Sequence, residues 1–238
     1  MTAPAPALQL TVLTELLRAE IDSDRWKWVQ HTLQQELQSA DLHNFAVSFA
    51  AVGRRIGTCQ LASEWPTSQT SAVGLEAPLS WTVDELARAV LLLAAARSRG
   101  AVELERLVQG CYQYGDSRER QAILRTLALL PDPQRFLPIA QEACRTHVQP
   151  IFEAVACENP YPSRYFPEAS FNQLVLKALF LGLSLPRIWG LRERLSAELQ
   201  RMANDYASER RAAGRPVPDE VYRLGVMSQV EMPRSGDP

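Results

Sequence analysis

The stretch Thr82-Val-Asp-Glu-Leu-Ala-Arg-Ala-Val-Leu-Leu-Leu-Ala-Ala-Ala-Arg-Ser98 decides the fold. Its first four residues form a capping box, in which the Thr hydroxyl accepts from a free backbone N–H and the Glu carboxylate accepts from the Thr N–H. Apolar residues then recur at helical spacing on one face: Leu86, Val90, Leu93 and Ala94. The longest unbroken apolar run of the chain, Ala89–Ala96, lies within this segment. The pattern predicts a helix that begins at the capping box and packs an apolar face against a core.

Helical spacing of apolar residues continues on both sides of this segment. Before it, three helices are predicted, whose apolar stripes begin at Leu10, Trp26 and Leu42. After it, four short helices are predicted between Leu104 and Val155, and their starts lie about 16–18 residues apart. A helical pair therefore repeats about every 34 residues, a period typical of stacked α-hairpins.

The predicted fold class is all-α. Stacked helical hairpins, like those of an α-solenoid of HEAT or TPR type, are expected to close into an irregular helical bundle, and a compact bundle without repeats is the alternative. No useful length of sequence alternates apolar and polar residues, so no sheet is expected. The helix from Pro167 to Gly182 is apolar nearly all round and is expected to be central, whereas Asn159-Pro-Tyr-Pro162 is expected to be non-helical.

Four segments are predicted along the chain. Helices occupy 1–57, a long surface loop rich in Pro, Gly, Ser and Thr covers 58–81, a repeat-like helical region covers 82–225, and a flexible tail covers 226–238. Residues 7–225 are expected to form one continuous domain.

Composition and charge argue against several classes of protein. The 238 residues are 46% apolar and 22% charged, which is typical of a globular protein rather than a disordered one. Lys and Arg number 25 against 27 Asp and Glu, and a net charge of −2 does not favour nucleic-acid binding. No basic residue precedes the first apolar stretch and no apolar run approaches about 20 residues, so neither export nor direct membrane insertion is expected, and the cytoplasm is the predicted compartment.

Residues that usually carry chemistry are few and scattered. His31, His43 and His147 have no second ligand type at useful spacing, and no phosphate-binding loop, nucleophile elbow or zinc-protease motif occurs. The four cysteines form no C-x-x-C pair and lie in or beside apolar segments, so they are predicted to be reduced and buried: Cys59, Cys111, Cys144 and Cys157. We therefore predict no catalytic residue, no metal and no cofactor.

Polar residues in unusual places occur between Arg145 and Arg215. Asn172, Gln173 and Lys177 are nearly the only polar side chains of an otherwise apolar helix, and an amine in such surroundings needs a carboxylate partner or a wet cavity. Asp205 and Glu209 share a face of the last long helix and are the natural partners.

Two interpretations of this cluster compete. In the first, Lys177 pairs with Asp205 or Glu209, and the side-chain amides of Asn172 and Gln173 cap the ends of the Asn-Pro-Tyr-Pro segment. The cluster then has only a structural role. In the second, the same groups line a pocket with Tyr161, Arg164 and Tyr165 at its mouth. The candidate ligand- or partner-binding residues are Arg145, His147, Asn159, Tyr161, Arg164, Tyr165, Asn172, Gln173, Lys177, Asp205, Glu209 and Arg210.

The C-terminal half resembles a known family. The strings that carry the resemblance are Arg145-Thr-His-Val148, Phe152-Glu-Ala154, Glu158-Asn-Pro-Tyr-Pro162, Tyr165-Phe166, Phe171-Asn-Gln-Leu-Val-Leu-Lys-Ala178, Ile188-Trp-Gly-Leu191 and Asp205-Tyr-Ala-Ser-Glu-Arg-Arg-Ala-Ala-Gly-Arg215. In this order they are similar to EboA-type proteins, and the similarity is strongest over residues 117–218. Two positions depart from the family pattern. The family has Asn at the position of His147, and it more often has Trp at the position of Phe171.

The resemblance implies a bacterial protein of metabolite traffic without an assigned reaction. We expect a non-enzymatic binding or adaptor protein whose partners are other proteins of the same gene cluster and an apolar or prenylated small molecule, with attachment to the inner membrane through a partner as an alternative location. A helical enzyme acting on an isoprenoid is a second hypothesis, although the chain lacks the Asp-rich motif that holds a diphosphate through Mg²⁺. A pure protein–protein scaffold is the third.

Overall fold

The regular structure is helical wherever the chain is described. The computed structural model describes residues 6–39, 41–62 and 81–229. Within these ranges lie twelve α-helices, three short 3₁₀ helices and no strand beyond one isolated β-bridge, between Gln60 and Thr82. The predicted all-α class is therefore confirmed.

The chain divides into two compact units, residues 1–161 and 162–238. The helices of the first unit are α1 (Pro6–Glu20), α2 (Ser23–Gln38), α3 (Leu42–Ile56), α4 (Val83–Ser98), α5 (Ala101–Tyr114), α6 (Ser117–Thr126), α7 (Leu137–Arg145) and α8 (Gln149–Ala156). The short helix α9 (Tyr161–Tyr165) follows, and the second unit then contains α10 (Glu168–Phe180), α11 (Ala197–Ala212) and α12 (Asp219–Gln229). The 3₁₀ helices are Leu127–Leu129, Pro133–Phe136 and Leu185–Arg187.

The predicted loop and tail fall largely outside the described residues. Residues 63–80 and 230–238 are not described, and they make up most of the segments 58–81 and 226–238. Of the predicted tail, residues 226–229 belong to α12.

Acidic side chains start several of these helices. Asp22 accepts from the backbone N–H of Arg25 at 2.9 Å, Asp41 from that of His43 at 2.7 Å, and Asp116 from that of Glu119 at 2.8 Å. Each carboxylate thus satisfies an N–H group that has no partner inside its helix. In the predicted capping box, a Glu85 carboxylate oxygen accepts from the Thr82 N–H at 2.8 Å.

The core of the first unit forms around α4. Every residue from Val83 to Ala95 is buried, and α1, α2, α3 and α6 pack against this helix. The predicted apolar face is therefore confirmed, since Leu86, Val90, Leu93 and Ala94 are all buried. Burial also extends to the charged residues of this stretch, Asp84, Glu85 and Arg88, which can leave water because each has an ion-pair partner.

The second unit packs α10 against α11 and α11 against α12. The helix α10 was expected to be central and covered on most sides, and six of its residues are buried, whereas Gln173 is exposed and Phe180 remains 61% exposed. The segment Asn159–Pro162 is also not wholly non-helical, because α9 begins at Tyr161. Pro162 is accommodated there because the first turn of a helix requires no backbone N–H from that position.

Candidate functional site

The predicted residues of the first unit divide into two buried and two exposed side chains. Asn159 is buried and donates to the carbonyls of Leu124 at 3.0 Å and Ala154 at 2.8 Å, while its side-chain oxygen accepts from the Tyr161 N–H at 2.9 Å. The Tyr161 hydroxyl donates to the Pro133 carbonyl at 2.6 Å. These two side chains therefore hold backbone segments together. Arg145 and His147 are exposed.

The predicted aromatic mouth of the pocket lies at the start of the second unit. Arg164 is exposed and stacks over Trp189, with its guanidinium carbon 4.9 Å from the ring centre. Nearby, Arg194 lies 4.7 Å from the Phe171 ring and donates to the Ser163 carbonyl at 2.7 Å. Tyr165 is half-buried. The two arginines brace this region by cation–π contact.

The polar residues of α10 lie in three different surroundings. Asn172 is buried, its amide nitrogen lies 3.5 Å from the Ser196 hydroxyl, and its side-chain oxygen has no hydrogen-bond partner in the part of the chain that is described. Gln173 is exposed and Lys177 is half-buried. The three do not share one enclosed environment.

The predicted acidic partners lie on the exposed face of α11. Asp205 forms an ion pair of 2.7 Å with Arg201 of its own helix, and Glu209 is exposed. Arg210 donates to the Pro216 carbonyl at 3.0 Å and stacks on Tyr206. The pairing of Lys177 with Asp205 or Glu209 stays a prediction.

A buried ionic network that sequence reasoning missed begins at the first turn of α4. Asp84 is 0% exposed and Arg88, one turn later, is 2% exposed. Their ion pair measures 2.6 Å, and the Thr82 hydroxyl donates to Asp84 at 2.7 Å. Arg88 also donates to the Phe49 carbonyl at 3.2 Å and covers the Phe49 ring. The signal was present in the sequence, because Asp84 and Arg88 are four residues apart within an otherwise apolar helix.

The network extends to α6 and encloses a polar cavity. Glu85 pairs with Arg125 at 3.0 Å, and Arg118 lies 3.4 Å from Asp84. Between them is a space of about 200 Å³, lined by Gln60, Thr82, Asp84, Glu85, Arg118, Gln121 and Arg125. Arg125 is only 8% exposed, and its Nη1 has no hydrogen-bond partner among the described residues. We call this space the α4–α6 cavity.

A second buried pair closes the other end of α4. Arg99 and Glu36 form an ion pair, the Ser98 hydroxyl donates to the same carboxylate at 2.9 Å, and Arg99 covers the Phe45 ring. The pair ties the residue after α4 to α2. Because each of these charges has a close partner, the pairs at the two ends fix how α4 sits among its neighbours.

An apolar groove runs between α3 and α5. It holds about 310 Å³ and is lined by Leu42, Ala46, Phe49, Ala50, Arg106, Leu107, Gly110, Cys111, Tyr114, Gly115 and Glu119. Phe49 and Leu107 are its buried lining residues, small residues such as Ala46 and Ala50 lie exposed beside them, and a side chain added at Gly110 would meet no atom within 4 Å. Leu42 is 51% exposed and Tyr114 84% exposed at the rim. We call this space the α3–α5 groove.

Titratable groups of this groove are shifted towards their neutral forms. Burial, followed by the neighbouring Glu119 charge, raises the pKa of the Cys111 thiol to about 12. Burial, followed by the Asp116 charge, raises the pKa of Glu119 above its usual 4.5. A thiol with so high a pKa is protonated at neutral pH and is a poor nucleophile.

The cysteines are free, and their burial differs from the expectation. Cys157 is buried, Cys111 and Cys144 are half-buried, and Cys59 is exposed. The prediction that all four are buried is therefore wrong for Cys59, which follows the end of α3.

Comparison with known families places the chain. It matches the family described as metabolite traffic protein EboA over residues 9–226. The chain belongs to the EboA family. This match extends the resemblance of residues 117–218 to the N-terminal helices, and the residues that line the α3–α5 groove and the α4–α6 cavity lie within the matched range. No curated protein and no solved structure matches it.

The described residues of this EboA-family chain contain neither a candidate metal site nor a candidate membrane span. Across residues 6–39, 41–62 and 81–229, no group of three or more His, Cys, Asp or Glu residues is arranged to hold a metal ion. In the same ranges, no helix has the length and apolar character needed to cross a membrane.

Proposed function

We propose that this EboA-family protein is a non-enzymatic binding or adaptor protein of a bacterial metabolite-traffic pathway, and that the α3–α5 groove receives the apolar part of its cargo. The family description, metabolite traffic protein, supports a role of this kind. The groove supplies the site, since about 310 Å³ lies at the lower end of the range typical of small-molecule pockets.

The lining supports an apolar ligand. Ala46 and Ala50 from α3 face Leu107 and Gly110 from α5, and these short side chains leave the room that larger ones would fill. The exposed ring of Tyr114 offers apolar area at the rim together with a hydroxyl for a polar end of the ligand. Burying apolar ligand area here contributes about 25 cal/mol per Å².

The chemistry of the groove supports binding rather than turnover. Burial raises the pKa of its one thiol, Cys111, to about 12, so this thiol is protonated at neutral pH and is a poor nucleophile. An apolar groove whose thiol is unreactive suits a ligand that binds and is released chemically unchanged. Other proteins of the same pathway are the proposed partners in that release.

A fluorescent apolar probe tests the site. Nile red should bind the wild-type protein saturably, and Ala50→Leu, which puts a larger side chain into the groove lining, should weaken binding about tenfold, the equivalent of 1.4 kcal/mol. Ala101→Leu is the matched control, because it adds the same side chain at an exposed position of α5 outside the groove. Equal affinity of Ala50→Leu and wild type would remove the groove from the proposal.

Native mass spectrometry tests the function itself. Protein purified without denaturation should carry a small apolar molecule, and Ala50→Leu should lose it while Ala101→Leu keeps it. Turnover of a prenyl diphosphate in the presence of Mg²⁺ would favour the enzyme hypothesis instead. Retention of a partner protein with no small molecule in either preparation would favour the scaffold.

A further inference from the structure

We propose that the α4–α6 cavity is a binding site for one small oxyanion, a carboxylate or a phosphate group. It lies in a different place from the α3–α5 groove and is lined by a different chemistry, so the proposal does not depend on the proposed function.

The acceptors of the cavity are already used by the protein. Asp84 accepts hydrogen bonds from the Thr82 hydroxyl at 2.7 Å and from the Arg88 guanidinium at 2.6 Å. Glu85 receives the Thr82 N–H at 2.8 Å and Arg125 Nε at 3.0 Å. Both carboxylates are therefore engaged from two sides and do not call for a cation.

The donors of the cavity are not all used. Arg125 is more than nine-tenths buried, yet its Nη1 has no hydrogen-bond partner in the described chain. Arg118 Nε is also buried without a hydrogen bond there, although it lies 3.4 Å from Asp84. A buried guanidinium N–H without an acceptor costs free energy, and a bound oxyanion would supply that acceptor.

The neighbouring carboxylates do not supply that acceptor. Asp84 pairs with Arg88 and Arg118, and Glu85 pairs with Arg125 through Nε, so Arg125 Nη1 stays unused among the described residues. Glu119 on α6 lines the α3–α5 groove, and its charge acts on Arg88.

The size and setting of the cavity suit such a group. A space of about 200 Å³ holds one carboxylate or phosphate with a few waters, since one water occupies about 30 Å³. The first turn of α4 adjoins the same space, and a helix start also favours negative charge. The amide of Gln121 on α6 adds a further polar group to the lining.

Thermal unfolding with simple anions as probes tests the proposal. Acetate and inorganic phosphate are titrated separately against sodium chloride at equal ionic strength. At ten times Kd, either anion should raise the Tm of the wild-type protein by about 3–6 °C in a saturable manner. At equal concentrations below saturation, a larger shift with acetate identifies a carboxylate as the preferred group, and a larger shift with phosphate identifies a phosphate.

Gln121→Glu is the decisive variant. A tethered carboxylate on α6 lies one turn before Arg125 and can occupy the place of the anion, so the ligand-free variant should stay folded and its response to acetate and phosphate should disappear. Gln113→Glu makes the same change at an exposed position outside the cavity and should respond as the wild type does. The proposal is overturned if neither anion exceeds chloride, or if Gln121→Glu keeps the full response.

Discussion

The ion pair of Asp84 and Arg88 makes a strong prediction about stability. In Asp84→Asn the carboxylate loses its charge while the side chain keeps its size, and Arg88 remains 2% exposed. Removing one partner of a buried pair leaves an uncompensated charge and costs about 3–5 kcal/mol. Because the total stability of a domain is about 5–15 kcal/mol, the loss should be conspicuous.

Chemical denaturation measures this effect. The midpoint in urea of Asp84→Asn should fall with little change in slope, and the free energy of unfolding should fall by the amount given above. Asp24→Asn is the matched control, because Asp24 forms an exposed pair with Lys27 at 2.8 Å, and its midpoint should stay unchanged.

A second substitution separates the charge from the packing. Asp84→Leu combined with Arg88→Met replaces the pair by apolar groups and should recover much of the stability lost in Asp84→Asn. A loss below about 1 kcal/mol in Asp84→Asn would refute the reasoning, since it would mean that Arg88 finds solvent or another acceptor when its carboxylate is neutral.

Three further predictions concern other buried groups. Asn159→Ala should destabilise the protein by about 2–5 kcal/mol in urea unfolding, because it leaves the Leu124 and Ala154 carbonyls and the Tyr161 N–H without their partner. A loss of stability no larger than that caused by Asn204→Ala, at an exposed position, would contradict the structural role of Asn159. An aromatic disulfide reagent at pH 8 should label exposed Cys59 well before Cys111, whose thiol has a pKa raised to about 12, and equal rates in single-cysteine variants would count against that burial. Burial raises the pKa of Glu119 above 4.5, so the folded state disfavours its ionised form and loses stability as pH rises through the raised value. Glu119→Gln should therefore gain stability relative to the wild type between pH 4 and pH 7. A constant difference in the free energy of unfolding between the two proteins across that range would contradict the prediction.

Local sequence signals predicted the helices well. Asp22, Asp41 and Thr82 mark helix starts because their side chains act within one turn, and such short-range effects need no knowledge of the rest of the fold. The spacing of apolar residues predicted the order of helices after α4 less accurately. The predicted regular succession of helices after α4 is interrupted where Leu127–Leu129 and Pro133–Phe136 form 3₁₀ turns between α6 and α7.

Which helix is central could not be predicted from apolar content. Both α4 and α10 are apolar on most sides, but α4 is buried from Val83 to Ala95 and α10 leaves Phe180 exposed. Burial depends on how many neighbouring helices reach a surface, and that number is set by the fold rather than by the helix itself. Four helices of the first unit pack against α4, and its own sequence does not reveal that number.

The buried network of α4 was not predicted, although the criterion that pointed to Lys177 applies to it as well. That criterion, a polar residue within an apolar helix, also selects Asp84, Glu85 and Arg88, all of which are buried. Their partners Arg118 and Arg125 lie on α6, and no local pattern connects the two helices. Asn159 was among the predicted site residues, and the structure shows its amide bound to the Leu124 and Ala154 carbonyls.

The bridge between Gln60 and Thr82 has a consequence for engineering. Val83 donates to the Cys59 carbonyl at 2.9 Å and Leu61 to the Trp81 carbonyl at 3.4 Å, so the chain is fastened at both points where it leaves and re-enters the described fold. Because backbone groups make both of these hydrogen bonds, side-chain substitutions at Cys59, Gln60 and Leu61 should leave the start of α4 in place.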